Sequence, residues 1–347
     1  MHQDMRCLYV GELNPEGTCF ERMNVLARLG VVSIPFDVKP YYYEVGPKLE
    51  RMLTYRTKAG RAVVRLNRDL QHLARTESFD AAWIDKGIWI WPETLDVLRK
   101  RAKRQIAVHN TPDPQILFHK SRHFFRCIPH YDLLVTTKPY EVQGYKAKGA
   151  RRILLVLQGY RDLFTPEQAA GTENPELASE VCFVGTCYDG RVDRIRAASR
   201  ASQNIAVWGD KWPGYTRSRP WLRPIVRGNS IYGERYPAAL RATKIALCFL
   251  AKCVPETTKT RTFEIPATGT FMLAERTDDH LALFQEGKEA EFFGSDEEMV
   301  DKIRFYLAND GARTRIAAAG RERCLKSGYS DEHQLRRMLD AMHELVN

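Results

Sequence analysis

The sequence predicts an α/β protein built from two doubly wound domains, each a parallel sheet with helices on both faces. Three observations predict it. Short apolar runs alternate with amphipathic stretches of helical period along most of the chain. Each half opens alike, on an apolar run ending in glycine: Cys7-Leu8-Tyr9-Val10-Gly11 and Val181-Cys182-Phe183-Val184-Gly185. The length, 347 residues, suits two cores at about 150 residues per domain.

In the first half the strand Cys7–Gly11 leads through a loop to a helix around Phe20–Leu29, stopped by Gly30, and then to a strand at Val31–Phe36. Further strands are predicted at Ala81–Ile84, Gln105–Val108, Leu133–Thr136 and Ile153–Val156, with a helix at Glu93–Lys103. The pattern breaks after Val156, and the polar stretch Glu167–Glu176 has no hydrophobic period, which marks a linker. Alternation restarts with strands at Val181–Gly185, Ile205–Gly209, Ile245–Leu250 and Phe271–Ala274. Helices at Glu297–Leu307, Ala312–Leu325 and Asp331–Val346 follow. The expected division is therefore 1–165, 166–330 and a terminal helix, 331–347, that packs back toward the first domain.

Composition narrows the function. With 44% hydrophobic and 28% charged residues, and Pro and Gly dispersed, disorder, collagen and fibre are excluded. No run of about 18 apolar residues occurs, and the start Met1-His2-Gln3-Asp4-Met5-Arg6 enters an apolar strand rather than a signal-peptide core. A chain that neither spans a membrane nor is exported by that route is expected. The 53 basic and 43 acidic residues give a net charge of +10, which favours an anionic partner: nucleic acid, acidic lipid or a phosphorylated small molecule. Cysteines at 7, 19, 127, 182, 187, 248, 253 and 324 fall largely in apolar stretches and lack Cys-x2-Cys spacing, as expected of reduced thiols in the cytoplasm rather than a zinc site.

In open parallel sheets ligands bind beyond the carboxyl ends of the strands, so the residues there carry the chemistry. Gly185-Thr186 and Gly209-Asp210 follow two strands of the second half, and glycine lets backbone amides approach a phosphate. Neither lies in a G-x-G-x-x-G, which counts against a dinucleotide dehydrogenase; either glycine could also be a plain turn. The densest segment is Glu256–Ala274, with a short helix between two strands. Thr257, Thr258 and Thr260 are candidate N-caps. Lys259 and Arg261 occupy the first turn, where the helix dipole alone prefers acids. Basic residues there suit a bound anion. Glu264, flanked by Phe263 and Ile265, must find donors, and a vicinal diol offers two; the alternative is a surface helix with Glu264 paired to Arg261.

The runs Arg261-Thr262-Phe263-Glu264-Ile265-Pro266-Ala267-Thr268-Gly269, Leu283-Phe284-Gln285-Glu286-Gly287-Lys288-Glu289 and Ile316-Ala317-Ala318-Ala319-Gly320-Arg321-Glu322-Arg323 resemble the C-terminal half of CgeB-like glycosyltransferases. The likeness is strongest over 181–330; Trp83-Ile84-Asp85-Lys86-Gly87 and Tyr131–Lys138 extend it into the first half. It implies the GT-B fold, two Rossmann-like domains facing a central cleft, and relation to the large group 1 (family 4) sugar transferases. It implies hexosyl transfer, without metal or cofactor, from a nucleoside-diphosphate sugar, by default a UDP-sugar. The 166–330 domain would hold the donor and the 1–165 domain the acceptor. Donor contacts would come from Gly185, Thr186, Arg191, Trp208, Gly209, Asp210, Thr260, Arg261, Thr262 and Glu264.

Lys259 and Arg261 would stabilise charge growing on the leaving diphosphate. Glu256 and Glu264 stand in the E-x7-E spacing of retaining members, where the second acid binds ribose and the first approaches the sugar, so the resemblance leans toward retention. An inverting enzyme needs a base from the first domain instead, and Asp85 and His109 follow or end strands there. The acceptor, a sugar, a lipid-linked molecule or another, is not readable, and a peripheral contact with anionic membrane at the inner face fits the charge. A nucleotide-sugar epimerase on the same fold is the enzymatic rival. Nucleic-acid binding through a helix bearing Lys48, Arg51, Arg56, Lys58, Arg61, Arg65 and Arg68 is the other, though no nucleic-acid motif occurs.

Overall fold

The computed structural model describes residues 5–42, 46–165, 175–188 and 190–345. Two compact units result, one of Met1–Leu157 with Asp331–Asn347 and one of Gln158–Ser330. Most of the expected linker, 167–174, lies outside the described residues, as do Met1–Asp4 and Val346.

The sheet of the first unit contains β1 (Met5–Gly11), β2 (Val31–Asp37), β3 (Ala81–Asp85), β4 (Ile106–Thr111), β5 (Leu133–Thr136) and β6 (Ile153–Leu155). All pairings are parallel, in the order β2-β1-β3-β4-β5-β6. A sheet buried on both faces needs apolar residues at every position, which is why β1 reads as one apolar run. Its residues nonetheless sort by parity. Leu8 and Val10 face Leu66 and Leu70 of the helix Arg61–Thr76 and Leu95 and Leu98 of the helix Pro92–Arg101. Cys7 and Tyr9 face the other way, toward Val25 and Leu26 of the helix Thr18–Arg28 and Leu335, Met338 and Leu339 of the helix Asp331–His343. The last helix of the chain thus completes the core of the first unit.

The second unit's sheet contains β7 (Ser179–Val184), β8 (Ile205–Trp208), β9 (Val226–Gly228), β10 (Thr243–Cys248), β11 (Phe271–Glu275) and β12 (Glu291–Phe293). It too is parallel, in the order β12-β11-β10-β7-β8-β9. Strand order reverses between β1 and β3 in one unit and between β7 and β10 in the other. At each reversal the connecting segments diverge to opposite sides and leave a crevice at the carboxyl ends.

Several expectations need correction. The edge strands β9 and β12 are three residues each and were not foreseen, because so short a run leaves no period to read. The strand expected from Gln105 starts at Ile106, since Gln105 has a left-handed φ of 54°. The basic residues from Lys48 to Arg68 lie on two helices, Lys48–Thr57 and Arg61–Thr76, because the chain turns left-handed at Lys58 (φ 56°) and Gly60 (φ 120°). No helix among the described residues is long and apolar enough to cross a membrane.

The terminal helix makes a direct prediction. Leu339 is 1% exposed, so Leu339→Ala should destabilise the first unit by about 2–5 kcal/mol. Thermal unfolding followed by a probe in that unit checks it; a melting point unchanged from the parent would mean the helix is not part of that core.

Candidate functional site

In the second unit the site grows from the end of β10. The chain continues through buried Phe249 and Leu250, loops over Ala251–Thr260, and forms the helix Arg261–Ala267. Pro266 inside that helix and Gly269, at φ 77°, keep it short and return the chain to β11. The caps differ from expectation. Thr260 flanks the helix without a side-chain capping bond, and the Thr257 hydroxyl donates to Asp279. Thr262 does the work from inside: its Oγ1 accepts the Lys259 amide at 3.2 Å and lies 2.8 Å from His280 Nε2. His280 Nδ1 sits 2.6 Å from the Glu275 carbonyl, so Nδ1 carries the proton and Nε2 accepts from Thr262. Burial holds His280 below the usual histidine range, which keeps this tautomer neutral.

That chain of hydrogen bonds fixes the turn bearing Lys259. Its ammonium lies 3.2 Å from Glu256 Oε2, and both side chains are about one-tenth exposed (10% and 11%). Glu256 also accepts the Ala251 amide at 2.8 Å. Burial pushes Lys259 down to about 8; Glu256 opposes the shift, while the charges of Arg261 and Arg191 add to it. Burial also works against the charge of Arg261, but the Tyr236 hydroxyl and Glu264 hold it above its ordinary value. Three cations, Lys259, Arg261 and Arg191, therefore converge around two carboxylates, Glu256 and Glu264, a balance that favours an anion.

Glu264 is 4% exposed and accepts the Tyr236 hydroxyl at 2.8 Å. Of the alternative, a surface helix with Glu264 paired to Arg261, the exposure does not occur, since Thr262–Ala267 are buried, while the charge of Glu264 does act on Arg261. Tyr236 is buried, its ring edge-on to Phe164 at 5.1 Å with the Arg261 guanidinium 5.8 Å from its centroid. Burial raises the Tyr236 phenol well above its ordinary range, so it stays a donor.

Other expected donor contacts have structural duties. The Gly185 amide donates to the Trp208 carbonyl at 2.8 Å and its carbonyl accepts Trp212 Nε1 at 2.7 Å, so its N–H is not presented to a phosphate. Gly209, at φ 150°, is glycine because a Cβ there would stand 2.1 Å from the Gly185 oxygen. Arg191 is buried and donates to the Thr186 carbonyl at 2.8 Å and the Phe249 carbonyl at 3.2 Å, tying together the ends of β7 and β10. Trp208 is buried in β8, and Thr262 is buried behind His280. Asp210 is exposed and contributes its carbonyl to the Cys187 amide. Glu275, at the end of β11, was missed by sequence reading. It takes the Leu250 amide at 2.7 Å, Arg194 at 2.6 Å and Lys252, and so fixes the start of the loop.

The first unit holds a cavity of about 230 Å³ at its own strand reversal, lined by Glu12, Arg22, Asp85, Lys86, Asn110 and Asp113 among others. Asp85 lies there, but its carboxylate takes Arg22 at 2.7 Å, Asn110 at 2.7 Å and the Tyr9 hydroxyl. A carboxylate so occupied is a poor base. His109 is 0% exposed, packed between Phe124 at 4.6 Å and Tyr131 at 5.3 Å, and burial pushes it down to about 4. It belongs to the core, and its strand neighbour Asn110 faces the cavity instead. Among the titratable groups of this lining, Asp113 lies 2.9 Å from Lys86 Nζ, and His119, outside the lining, lies 3.9 Å from Asp113. Lys86 holds a left-handed φ of 66°, strain of a kind that collects at binding sites.

Residues 191–340 match the family model described as glycosyl transferase-like. No sequence among the curated proteins matches the chain. Among solved structures it is similar to a glycosyltransferase from Rickettsia africae ESF-5, at 14% identity over 99% of both chains with a TM-score of 0.68. Sucrose-phosphate synthase of Thermosynechococcus elongatus aligns at 14% identity over 99% of each chain, TM-score 0.67. HepE of Anabaena, solved in complex with UDP and glucose, aligns at 12% identity over 98% of this chain and 100% of its own, TM-score 0.65. The fold is GT-B. Within this GT-B chain the glycosyl transferase-like match begins at Arg191 and takes in the whole of the Glu256–Glu264 segment.

The contact between Gly185 and Gly209 predicts that Gly209→Ala costs about 2–4 kcal/mol, from backbone strain and overpacking together. Denaturant unfolding of the variant measures it; a loss under about 0.5 kcal/mol would show that β7 and β8 can separate freely at that point.

Proposed function

We propose that the protein is a glycosyltransferase that moves a hexosyl group from a nucleoside-diphosphate sugar to an acceptor. A UDP-sugar is the first choice of donor, given the nucleotide bound by HepE. The observation that carries this reading is the convergence of Lys259, Arg261, Glu256 and Glu264 at the strand reversal of the second unit, within the glycosyl transferase-like segment. The CgeB-like resemblance is the finer form of the same proposal.

Lys259 and Arg261 receive the diphosphate. As the bond from the anomeric carbon to the diphosphate oxygen lengthens, negative charge grows on the leaving group. Cations already fixed in a partly desolvated site stabilise that state more than the ground state. Glu264 accepts from the ribose hydroxyls alongside Tyr236. Glu256, held by Lys259 and the Ala251 amide, approaches the sugar, which supports retention. No metal ion is assigned a part. The first unit takes the acceptor at its cavity, and an inverting reaction would draw its base from His119, 3.9 Å from Asp113, rather than Asp85 or His109. Free thiols at Cys7, Cys182 and Cys248, buried in strands, support a reducing compartment. The helix Lys48–Thr57 exposes Leu49, Met52 and Leu53 beside Arg51 and Arg56, which supports a peripheral contact with anionic membrane.

Two measurements test the donor site. Glu264→Ala should weaken UDP binding by about 1.5–3 kcal/mol through lost charge-assisted hydrogen bonds. Tyr236→Phe removes only the internal partner and should leave UDP affinity within about twofold. If calorimetry finds Glu264→Ala destabilised but binding UDP normally, the carboxylate serves Tyr236 alone and the ribose assignment is wrong. Donor consumption separates the enzymatic rivals: an epimerase converts the UDP-sugar without acceptor, whereas a transferase shows only slow hydrolysis.

The pH dependence follows from Lys259. Its free-protein value of about 8 leaves it a cation at neutral pH. A bound diphosphate favours the protonated form and raises that value, so UDP affinity should be flat below pH 8 and fall by up to tenfold per pH unit above it. Lys259→Ala should remove the slope. A wild-type profile level from pH 7 to 9.5 would disconnect this lysine from the nucleotide.

A further inference from the structure

The loop that carries Lys259 is tied on both sides of the lysine to a single helical turn. That turn is the start of the helix Asp278–Leu283, with its cap Thr277, directly after β11. Thr277 Oγ1 accepts the His280 amide at 3.0 Å and donates to the Thr257 carbonyl at 2.9 Å, and Asp279 accepts the Thr257 hydroxyl. On the other side of the lysine, the Thr262 hydroxyl donates to His280 Nε2 at 2.8 Å. None of the residues 277–280 stood among the candidate donor contacts.

His280 is 0% exposed, so no ligand reaches it, and what it does it does through Thr262. The Thr262 hydroxyl has two duties. Its oxygen accepts the Lys259 amide at 3.2 Å, which closes a turn that the Thr262 amide closes a second time by donating to the Lys259 carbonyl at 3.0 Å. Its proton needs an acceptor of its own. A helical threonine otherwise donates back to the carbonyl of the preceding turn, and that rotation would take its lone pairs away from the Lys259 amide. His280 Nε2 supplies a buried acceptor in a fixed direction instead. The ring is held by Nδ1, which donates to the Glu275 carbonyl at 2.6 Å, and it lies flat against Phe292, 2° from parallel with centroids 5.5 Å apart. The acids whose charge reaches the ring are each bonded elsewhere: Asp279 to Thr257, Glu275 to Leu250 and Arg194, Glu256 to Lys259.

We propose that His280 is a positioning residue of the donor site: by accepting the Thr262 hydroxyl it fixes the turn at Lys259, and with it the place where the ammonium meets a diphosphate. Contacts to a charged group weaken steeply when the supporting turn shifts by about 1 Å, which is why a residue buried behind the site can set affinity at its surface. The inference rests on the reading of Lys259 as a diphosphate contact.

A double-mutant cycle on the full chain, read by calorimetric titration with UDP at neutral pH, tests it. Lys259→Ala should weaken UDP by about tenfold. His280→Leu keeps bulk beside Phe292 but offers no acceptor; it should weaken UDP by about fivefold, and by less than about twofold once Lys259→Ala is already present. His280→Gln, whose side-chain oxygen reaches toward the position of Nε2, should recover most of that loss. Thr262→Val removes the other end of the same bond and carries the cycle if His280→Leu fails to fold. A loss of the same size in both backgrounds, or in neither, makes His280 a packing residue and overturns the proposal, as does a His280→Gln that binds no better than His280→Leu. If Lys259→Ala by itself leaves UDP affinity unchanged, the donor reading fails first and the positioning role falls with it.

Discussion

The second unit depends on what Arg191 does with its guanidinium. The pairing of β7 with β10 runs through Cys182 and Ala246, and beyond it Arg191 bridges the two carboxyl ends by donating to the carbonyls of Thr186 and Phe249. With those ends fixed, Leu250 is positioned to give its amide to Glu275, and the loop that follows is pinned at its start. The loop's far end is pinned by Thr262 and His280. Lys259 and Glu256 therefore sit on a short span anchored at both ends, which is what a site that must not reorganise requires. Sequence reading placed Arg191 among the groups touching the donor. In the structure its guanidinium is bonded to backbone carbonyls of the chain itself.

Burying charge has a cost, and the chain places that cost unevenly. In the first unit Asp85 collects Arg22, Asn110 and Tyr9, so the carboxylate is matched by its neighbours. Around Lys259 the match is incomplete: burial lowers the proton affinity of the lysine, Glu256 opposes that shift, and the charges of Arg261 and Arg191 add to it. Matched burial stabilises a structure; unmatched burial of one sign stores a preference for something that brings the other sign. The contrast separates the two strand reversals chemically even though the topology repeats.

Much of the architecture was legible because a parallel sheet covered on both faces writes each strand as an apolar run. The same property hid detail. In β4 both His109 and Asn110 are buried, so nothing in the run shows which one points into the cavity, and the more reactive residue type drew the wrong choice. Glu264 was readable as a buried acid from its flanking Phe263 and Ile265. Its partner Tyr236 was not, since 28 residues separate them and no local rule connects the two. The glycines after β7 and β8 illustrate the limit in another way: their position was legible, but whether they made room for a ligand or for each other is decided by a contact between strands.

The placement of the helix Asp331–His343 bears on how the molecule is made. Its apolar side covers a face of the sheet built from residues 5–155, and the whole of the second unit intervenes in sequence between the two. During vectorial synthesis the first sheet emerges early with the helix Thr18–Arg28 on this face, but the part that Leu335, Met338 and Leu339 cover stays bare until residue 343 has left the ribosome. The second unit, contiguous from Gln158 to Ser330, can close first. The unit begun first is thus finished last, and during that interval its bare face is where a chaperone would be needed.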